Sequence, residues 1–191
     1  MRVINKEELK LHQDQILREL YDGAVFIYPT DTIYGIGCDA QNGESVRKIR
    51  KVKGRNEMPF SVIAPNKQWI YDNCEVSDEA RKWIEEKLPG PYTLILKLRN
   101  KKAVSKHVNK GIDTLGVRIP DHWCSKAVSM ANIPLVTTSA NVTGENFMTS
   151  LDNLNPRIRA HMNFIIYEDE LKGRPSKIVD LTKENVEVKE R

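Results

Sequence analysis

The sequence predicts an α/β protein built on one open, twisted sheet of mixed parallel and antiparallel strands flanked by helices. Three observations carry that reading. Short apolar runs alternate with amphipathic stretches along the whole chain, the pattern of strands and helices sharing one core. The segments between runs such as 60–64 and 93–98 are long enough for the crossovers that parallel pairing requires. Short apolar runs also crowd the last third, where antiparallel neighbours are expected. The 191 residues suit a single domain, 1–191, able to bury a core without disulfides or metals.

In order, residues 6–20 carry Leu9, Leu11, Ile16, Leu17 and Leu20 at amphipathic spacing, predicting one helix that ends at Asp22-Gly23. The β-type run 24–28 follows and stops at Pro29. Asn42-Gly43 opens a helix with Val46, Ile49 and Val52 on one face and cations on the other. Residues 60–64 read as a buried strand. Helical patterns follow at 67–71 and 77–88, with Ser77 as N-cap. Pro89-Gly90-Pro91 is a turn. Strands are expected at 93–98 and 115–119, a helix capped by Asp121 at 122–131, and strands at 135–138, 164–167, 177–181 and 186–188.

Composition bounds the function. No apolar run approaches the roughly 18 residues of a membrane helix, and the N-terminus has no apolar signal core, so the expectation is a cytoplasmic protein with no membrane contact. Cys38, Cys74 and Cys124 lie far apart, against both a disulfide framework and a zinc site. The net charge of +4 is uneven: residues 47–55 hold six cations and no acid, and residues 97–110 hold six more and no acid. Such runs fit an anionic partner, a nucleotide or RNA; they equally fit solvated faces.

The chain has neither standard phosphate-binding glycine loop and no nucleophile elbow. His12, His107, His122 and His161 lack metal spacing and read as surface or capping residues. What remains are polar groups beyond strand ends: Thr30, Asp31 and Thr32; Lys53 and Arg55; Thr114 and Arg118; Ser139 and Asn141; Ser176. Singly, each is a turn or capping residue. If their segments share one sheet edge, they converge on one pocket with at least three cations.

These residues sit in longer motifs. Y-P-T-D-T-I-Y-G-I-G begins at Tyr28, K-G-R at Lys53, P-G-P-Y-T-L-I-L-K at Pro89, G-V-R-I-P at Gly116, T-S-A-N-V-T-G at Thr138 and P-S-K-I-V-D-L at Pro175. In order and spacing the chain resembles the YrdC-type threonylcarbamoyl-AMP synthase family. The resemblance implies a YrdC-like sheet with a concave, positively charged face. It implies that L-threonine, bicarbonate and ATP give L-threonylcarbamoyladenylate and diphosphate, for later transfer to the adenosine beside the anticodon of certain tRNAs by a separate complex. The family's K-x-R…S-x-N signature falls on Lys53, Arg55, Ser139 and Asn141 as catalytic residues. The resemblance places ATP near Arg55, Thr114, Ser139 and Arg191, and threonine near Thr32, Arg118, Thr137 and Ser176. No protein-bound metal is expected; Mg²⁺ accompanies ATP. Relative to longer members the second domain is missing, so closure is expected from loop 143–150 or the C-terminal tail.

The chemistry suits the residues. Amino-acid carboxylate, carbamate and triphosphate are all anionic, and preorganised cations lower the cost of bringing them together. Arg118 is expected to grip the threonine carboxylate. Lys53, read as exposed, and Arg55 are expected to neutralise carbamate and phosphates, and Gly35 and Gly37 to let backbone approach the ligand. Two other readings stand beside this one: a non-catalytic RNA- or nucleotide-binding module, and a related carbamoyl-adenylate-handling domain.

Overall fold

The computed structural model describes residues 1–183 and 185–190. The chain runs β1 (Arg2–Ile4), α1 (Lys6–Leu11), α2 (Gln13–Tyr21), β2 (Phe26–Tyr28), β3 (Gly35–Gly37), α3 (Gly43–Lys53), β4 (Ser61–Ile63), α4 (Lys67–Asn73), β5 (Cys74–Glu75) and α5 (Asp78–Lys87). It continues through β6 (Tyr92–Leu98), α6 (Lys106–Asn109), β7 (Thr114–Arg118), α7 (Trp123–Ser129), β8 (Leu135–Ser139), a 3₁₀ turn at Leu151–Asn153, α8 (Pro156–Arg159), β9 (Phe164–Ile166), β10 (Lys177–Asp180) and β11 (Glu187–Lys189).

The strands form one eleven-stranded sheet in the order β1-β9-β2-β3-β8-β4-β7-β6-β10-β11, with β5 added beside β6. Pairing is mixed: β1, β9 and β2 run parallel, as do β4 with β7 and β6 with β10, while β2–β3, β3–β8, β4–β8 and β6–β7 are antiparallel. The predicted open mixed sheet is therefore the fold.

Strand alternation divides the side chains between two faces. Ile27, Ile36, Val62, Leu94, Leu96, Leu115, Val117, Val136 and Val179 belong to one core with Val46, Ile49 and Val52 of α3. On the other face Phe26, Tyr28, Ile63, Leu135 and Phe164 pack with Leu9 of α1, Ile16 and Leu20 of α2, and Cys124 of α7. That second apolar layer covers only part of its face. Along β4 it stops at Ile63, and the next residue on the same side is Ser61; along β8 it stops at Leu135, and the next is Thr137. Where the second layer stops, the sheet turns polar.

Local chemistry explains the helix ends. Asn5 and Glu8 make a reciprocal capping box on α1, Ser77 accepts from Ala80 N at the start of α5, and Asn42 accepts from Glu44 N and Ser45 N at the start of α3. Gly54 closes α3 in the left-handed region at φ 63°, which a side chain would strain.

Some expectations fail. The helix expected over 6–20 is two helices, because His12 leaves helical geometry at φ −109°, ψ 24°; Leu11, expected on the apolar face, is 77% exposed. At the start of α7 it is His122 that accepts, through Nδ1, from Cys124 N, while Asp121 N donates to Asp31. Gly35 and Gly37 form β3 and serve Tyr28 first: a methyl group on either would lie within 3.2 Å or 2.7 Å of that ring. Among the described residues no helix is long and apolar enough to cross a membrane.

Candidate functional site

The polar part of the sheet face is the floor of a cavity of about 150 Å³. Ser61, Thr93, Arg118, Thr137 and Ser139 come up from β4, β6, β7 and β8. Thr30, Ile33, Tyr34 and Gly35 close one side, Arg55 and Phe147 another, and Pro175-Ser176 a third. Segments from the first third of the chain to the last therefore meet here, as their positions beyond strand ends suggested.

Arg118 organises the deep end. Burial pulls its guanidinium down from the usual arginine range, and Asp31 opposes that shift. Its Nη2 donates to Asp31 Oδ1 at 2.6 Å and to Thr32 Oγ1 at 3.4 Å. The other Asp31 oxygen accepts from Asp121 N at 3.1 Å, so one carboxylate ties the 30–33 loop to the segment after β7. Arg118 Nε is buried with no hydrogen-bond partner among the described residues, an expensive arrangement for a donor unless something else satisfies it. Thr30 holds its own turn, donating to Ile33 O at 2.8 Å with its oxygen 2.9 Å from Thr32 Oγ1. Ser176 Oγ lies 2.8 Å from Thr93 Oγ1.

The K-x-R and S-x-N pairs meet at the opposite rim, but not as expected. Lys53, read as exposed, is 1% exposed. Its ammonium donates to Ser139 O at 2.5 Å, Asn141 O at 2.6 Å and Asn141 Oδ1 at 3.0 Å. A lysine ammonium has three donors, so all are committed to the turn after β8. Burial, helped by nearby Arg55, brings its pKa down from 10.5 to about 7. Ser139 Oγ donates to Asn141 Oδ1 at 2.6 Å, and Asn141 Nδ2 donates to Glu145 O at 2.7 Å. Arg55 leaves α3 across Gly54 and lines the cavity, its Nη2 donating to Pro59 O at 2.6 Å and its guanidinium 5.2 Å from the Phe60 ring. The cavity lining thus holds two of the three cations expected, Arg55 and Arg118; Lys53 stands behind the turn.

Thr114 lies outside the cavity. It shares a strand face with Arg118 but begins β7 where Arg118 ends it, about 13 Å away along the strand. Thr32 sits behind Arg118, whereas Thr137 and Ser176 line the cavity directly. Arg191 lies outside the described residues. Of the expected closing segments, loop 143–150 contributes Phe147 to the wall. Segment 168–176 also closes the site: a methyl group on Gly173 would overlap Thr32 O, so this strap rests backbone on backbone against the 30–33 loop.

Sequence reasoning missed Asp31 as the partner of Arg118, and missed Ser61 and Thr93 on the floor. Alternation was the available signal. Ser61 is the polar residue between Phe60 and Val62, and Thr93 precedes Leu94, so each faces away from the first core.

Fold and cavity together define an open-sheet domain with a pocket lined by two arginines and several hydroxyls. The comparisons give that class its name. A family model for Sua5/YciO/YrdC, described as "Telomere recombination", matches residues 18–191, and the chain belongs to that family. It is 34% identical over 185 residues to a putative threonylcarbamoyl-AMP synthase of Methanocaldococcus jannaschii, covering 96% of this chain and 86% of that one. It is 30% identical over 173 residues to a threonylcarbamoyl-AMP synthase of Vibrio campbellii, covering 87% and 92%. Among solved structures, P. abyssi Sua5 complexed with L-threonine superposes with a TM-score of 0.88 at 25% identity, covering 98% of this chain and 56% of that longer one.

Proposed function

We infer that the chain is an L-threonylcarbamoyladenylate synthase, a nucleotidyltransferase that supplies the threonylcarbamoyl group for modification of tRNA beside the anticodon. The observation that carries this reading is the buried Arg118, held from one side by Asp31 and Thr32 and with Nε unpartnered among the described residues, in an amino-acid-sized cavity lined by hydroxyls. A cavity of this volume, open on one side, suits a compact amino acid with a nucleotide across the open face beyond it. Relatives named threonylcarbamoyl-AMP synthase and a related structure complexed with L-threonine support the same assignment.

In this reading the threonine carboxylate occupies the Arg118 side, Thr137 and Ser176 surround the substrate hydroxyl and amine, and Thr32 acts from behind by accepting a hydrogen bond from Arg118. Bicarbonate and the amine give a carbamate with loss of water. A carbamate oxygen then attacks the α-phosphorus of ATP, forming the mixed anhydride as diphosphate leaves. Arg55 and Ser139 meet the phosphates, and Thr114, farther along the face, meets the distal part of the nucleotide. Lys53 shapes the Ser139–Asn141 turn and adds positive charge behind it. Mg²⁺ enters with ATP, held by phosphate oxygens and water, since the described cavity lining has no carboxylate. Positioning three reactants around one rim supplies most of the rate.

The test is diphosphate release with ATP, bicarbonate and L-threonine, omitting each in turn. Diphosphate is expected only with all three. Arg118→Lys keeps the charge but loses the planar fork, and should raise the threonine KM by about tenfold or more while leaving the ATP KM unchanged. Diphosphate from ATP alone, or an unchanged threonine dependence, overturns the assignment; tight RNA binding without turnover would point to a binding module instead.

A further inference from the structure

The strap over residues 168–176 has no regular secondary structure, so its path is set by what fastens it. Its far end is tied to the sheet: Ser176 Oγ lies 2.8 Å from Thr93 Oγ1, and β10 continues from there beside β6. Midway, Leu171 N donates to Thr149 O at 2.9 Å, and Gly173 rests on Thr32 O. Lys172 and Arg174, on either side of that contact, are exposed.

The near end is fastened by a side chain. One oxygen of Glu168 accepts from His122 Nε2 at 2.7 Å and the other from Trp123 Nε1. The direction of the first bond is fixed: His122 Nδ1 already accepts from Cys124 N at 3.2 Å, so the hydrogen facing Glu168 is on Nε2. The next residue, Asp169, turns in the left-handed region at φ 49°. Tyr34, part of the cavity wall, closes that turn. Its hydroxyl accepts from Glu168 N at 3.0 Å and donates to Asp169 O at 2.8 Å.

The segment that receives Glu168 also supports the deep end of the cavity. Arg118 ends β7, and three residues later Asp121 N donates to Asp31 Oδ2, whose other oxygen accepts from Arg118. His122 and Trp123 follow directly. The Arg118–Asp31 pair and the strap therefore share one anchor.

We propose that Glu168 is a positioning residue for the amino-acid substrate: by fastening the strap to the start of α7 it sets Pro175 and Ser176 against the cavity and couples their position to Arg118. The ligand named here rests on the synthase reading; the fastening does not. Glu168, His122 and Trp123 all lie outside the cavity lining, so the effect passes through the strap. The arrangement needs a carboxylate. Two N–H donors converge on one side chain, and only a group with an acceptor at each tip satisfies both. Glutamine has the same shape but must turn its NH₂ towards one donor. Aspartate keeps two acceptors but, a methylene shorter, cannot reach both donors.

The experiment reads strap and ligand separately on the full chain. Hydrogen exchange across 168–176, which includes the bonded amides of Glu168 and Leu171, reports opening of the strap; Glu168→Gln should speed it by about tenfold, with α3 unchanged as the internal reference. Calorimetry with L-threonine should show an affinity about fivefold weaker or more. In the diphosphate assay the threonine KM should rise by the same factor, with kcat and the ATP KM nearly unchanged. Glu168→Asp should fall between wild type and Glu168→Gln, and Glu170→Gln, which removes the same charge two residues along the strap, should match wild type. Trp123→Phe alone should weaken threonine binding, yet it should restore part of the loss in Glu168→Gln, because it removes an N–H that the amide NH₂ opposes. Unchanged exchange in Glu168→Gln, unchanged threonine affinity beside faster exchange, a fall in kcat with no change in KM, or additive costs in the double variant would each overturn the proposal. Wild type that binds no threonine would instead overturn the synthase reading, and exchange alone would then decide the fastening.

Discussion

Lys53 shows how burial changes the job of a charged residue. Three acceptors within 3.0 Å favour its ammonium, while desolvation and Arg55 bring its pKa to about 7. In the unfolded chain the same side chain titrates near 10.5. Between those values the unfolded state binds more protons than the folded one, so this residue makes the fold more stable as pH rises from about 7 towards 10. Its folded-state penalty is fully present below that window. Lys53→Met removes the titrating group: wild type should gain several degrees in melting temperature, relative to the variant, between about pH 7 and pH 9.5. Parallel pH profiles for the two proteins would contradict the assignment. Arg118 uses the opposite arrangement, keeping a buried charge beside Asp31.

At the scale of elements, β7 decides the depth of the cavity. Its sequence Thr-Leu-Gly-Val-Arg alternates between faces, with Leu115 and Val117 in the core and Gly116 between Arg118 and Thr114 on the polar side. A methyl group on Gly116 would lie 2.6 Å from Ser61 Oγ and 3.3 Å from Thr93 Cγ2. Gly116→Val should therefore overfill the floor, cost about 1–3 kcal/mol and lower the melting temperature by several degrees. It should also abolish threonine binding by calorimetry; retained binding would place the ligand elsewhere. The same alternation explains how much was legible beforehand. Long apolar runs such as 93–98 and 135–138, and caps such as Ser77 and Asn42, announce their elements directly. The three-residue strands β1 and β3 do not, because their strand character comes from neighbours distant in sequence, Phe164–Ile166 for β1 and Phe26–Tyr28 for β3. In the site, motif spacing brought Thr32, Lys53, Arg118 and Ser139 together, but nothing local distinguishes a lysine that faces ligand from one turned onto a backbone turn. The pairing of Asp31 with Arg118 crosses 87 residues and became visible only in three dimensions.

Across the molecule, one sheet separates two apolar layers, and its central strands contribute to both sides or to one side and the cavity. Neither layer can lose its packing without exposing the back of the other, which favours a single cooperative transition. The free thiols allow this to be measured. Cys38 and Cys74 lie in the larger layer and Cys124 in the smaller; all three are buried, and burial pushes their pKa values up, that of Cys74 to about 12. They are therefore inert in the folded state. Under mild denaturant, Cys74 and Cys124 should react with a thiol reagent at one common rate. Faster labelling of Cys124 would mean that α1, α2 and α7 open on their own.

The contact between Gly173 and Thr32 has one more consequence. Where two stretches of main chain touch with no side chain between them, a single carbon atom is a wedge. Alanine at 173 would prise the strap upward, carrying Ser176 with it while leaving Arg118, Thr137, Ser139 and Arg55 unchanged, and so would separate what enclosure contributes to turnover from what the groups on the sheet contribute.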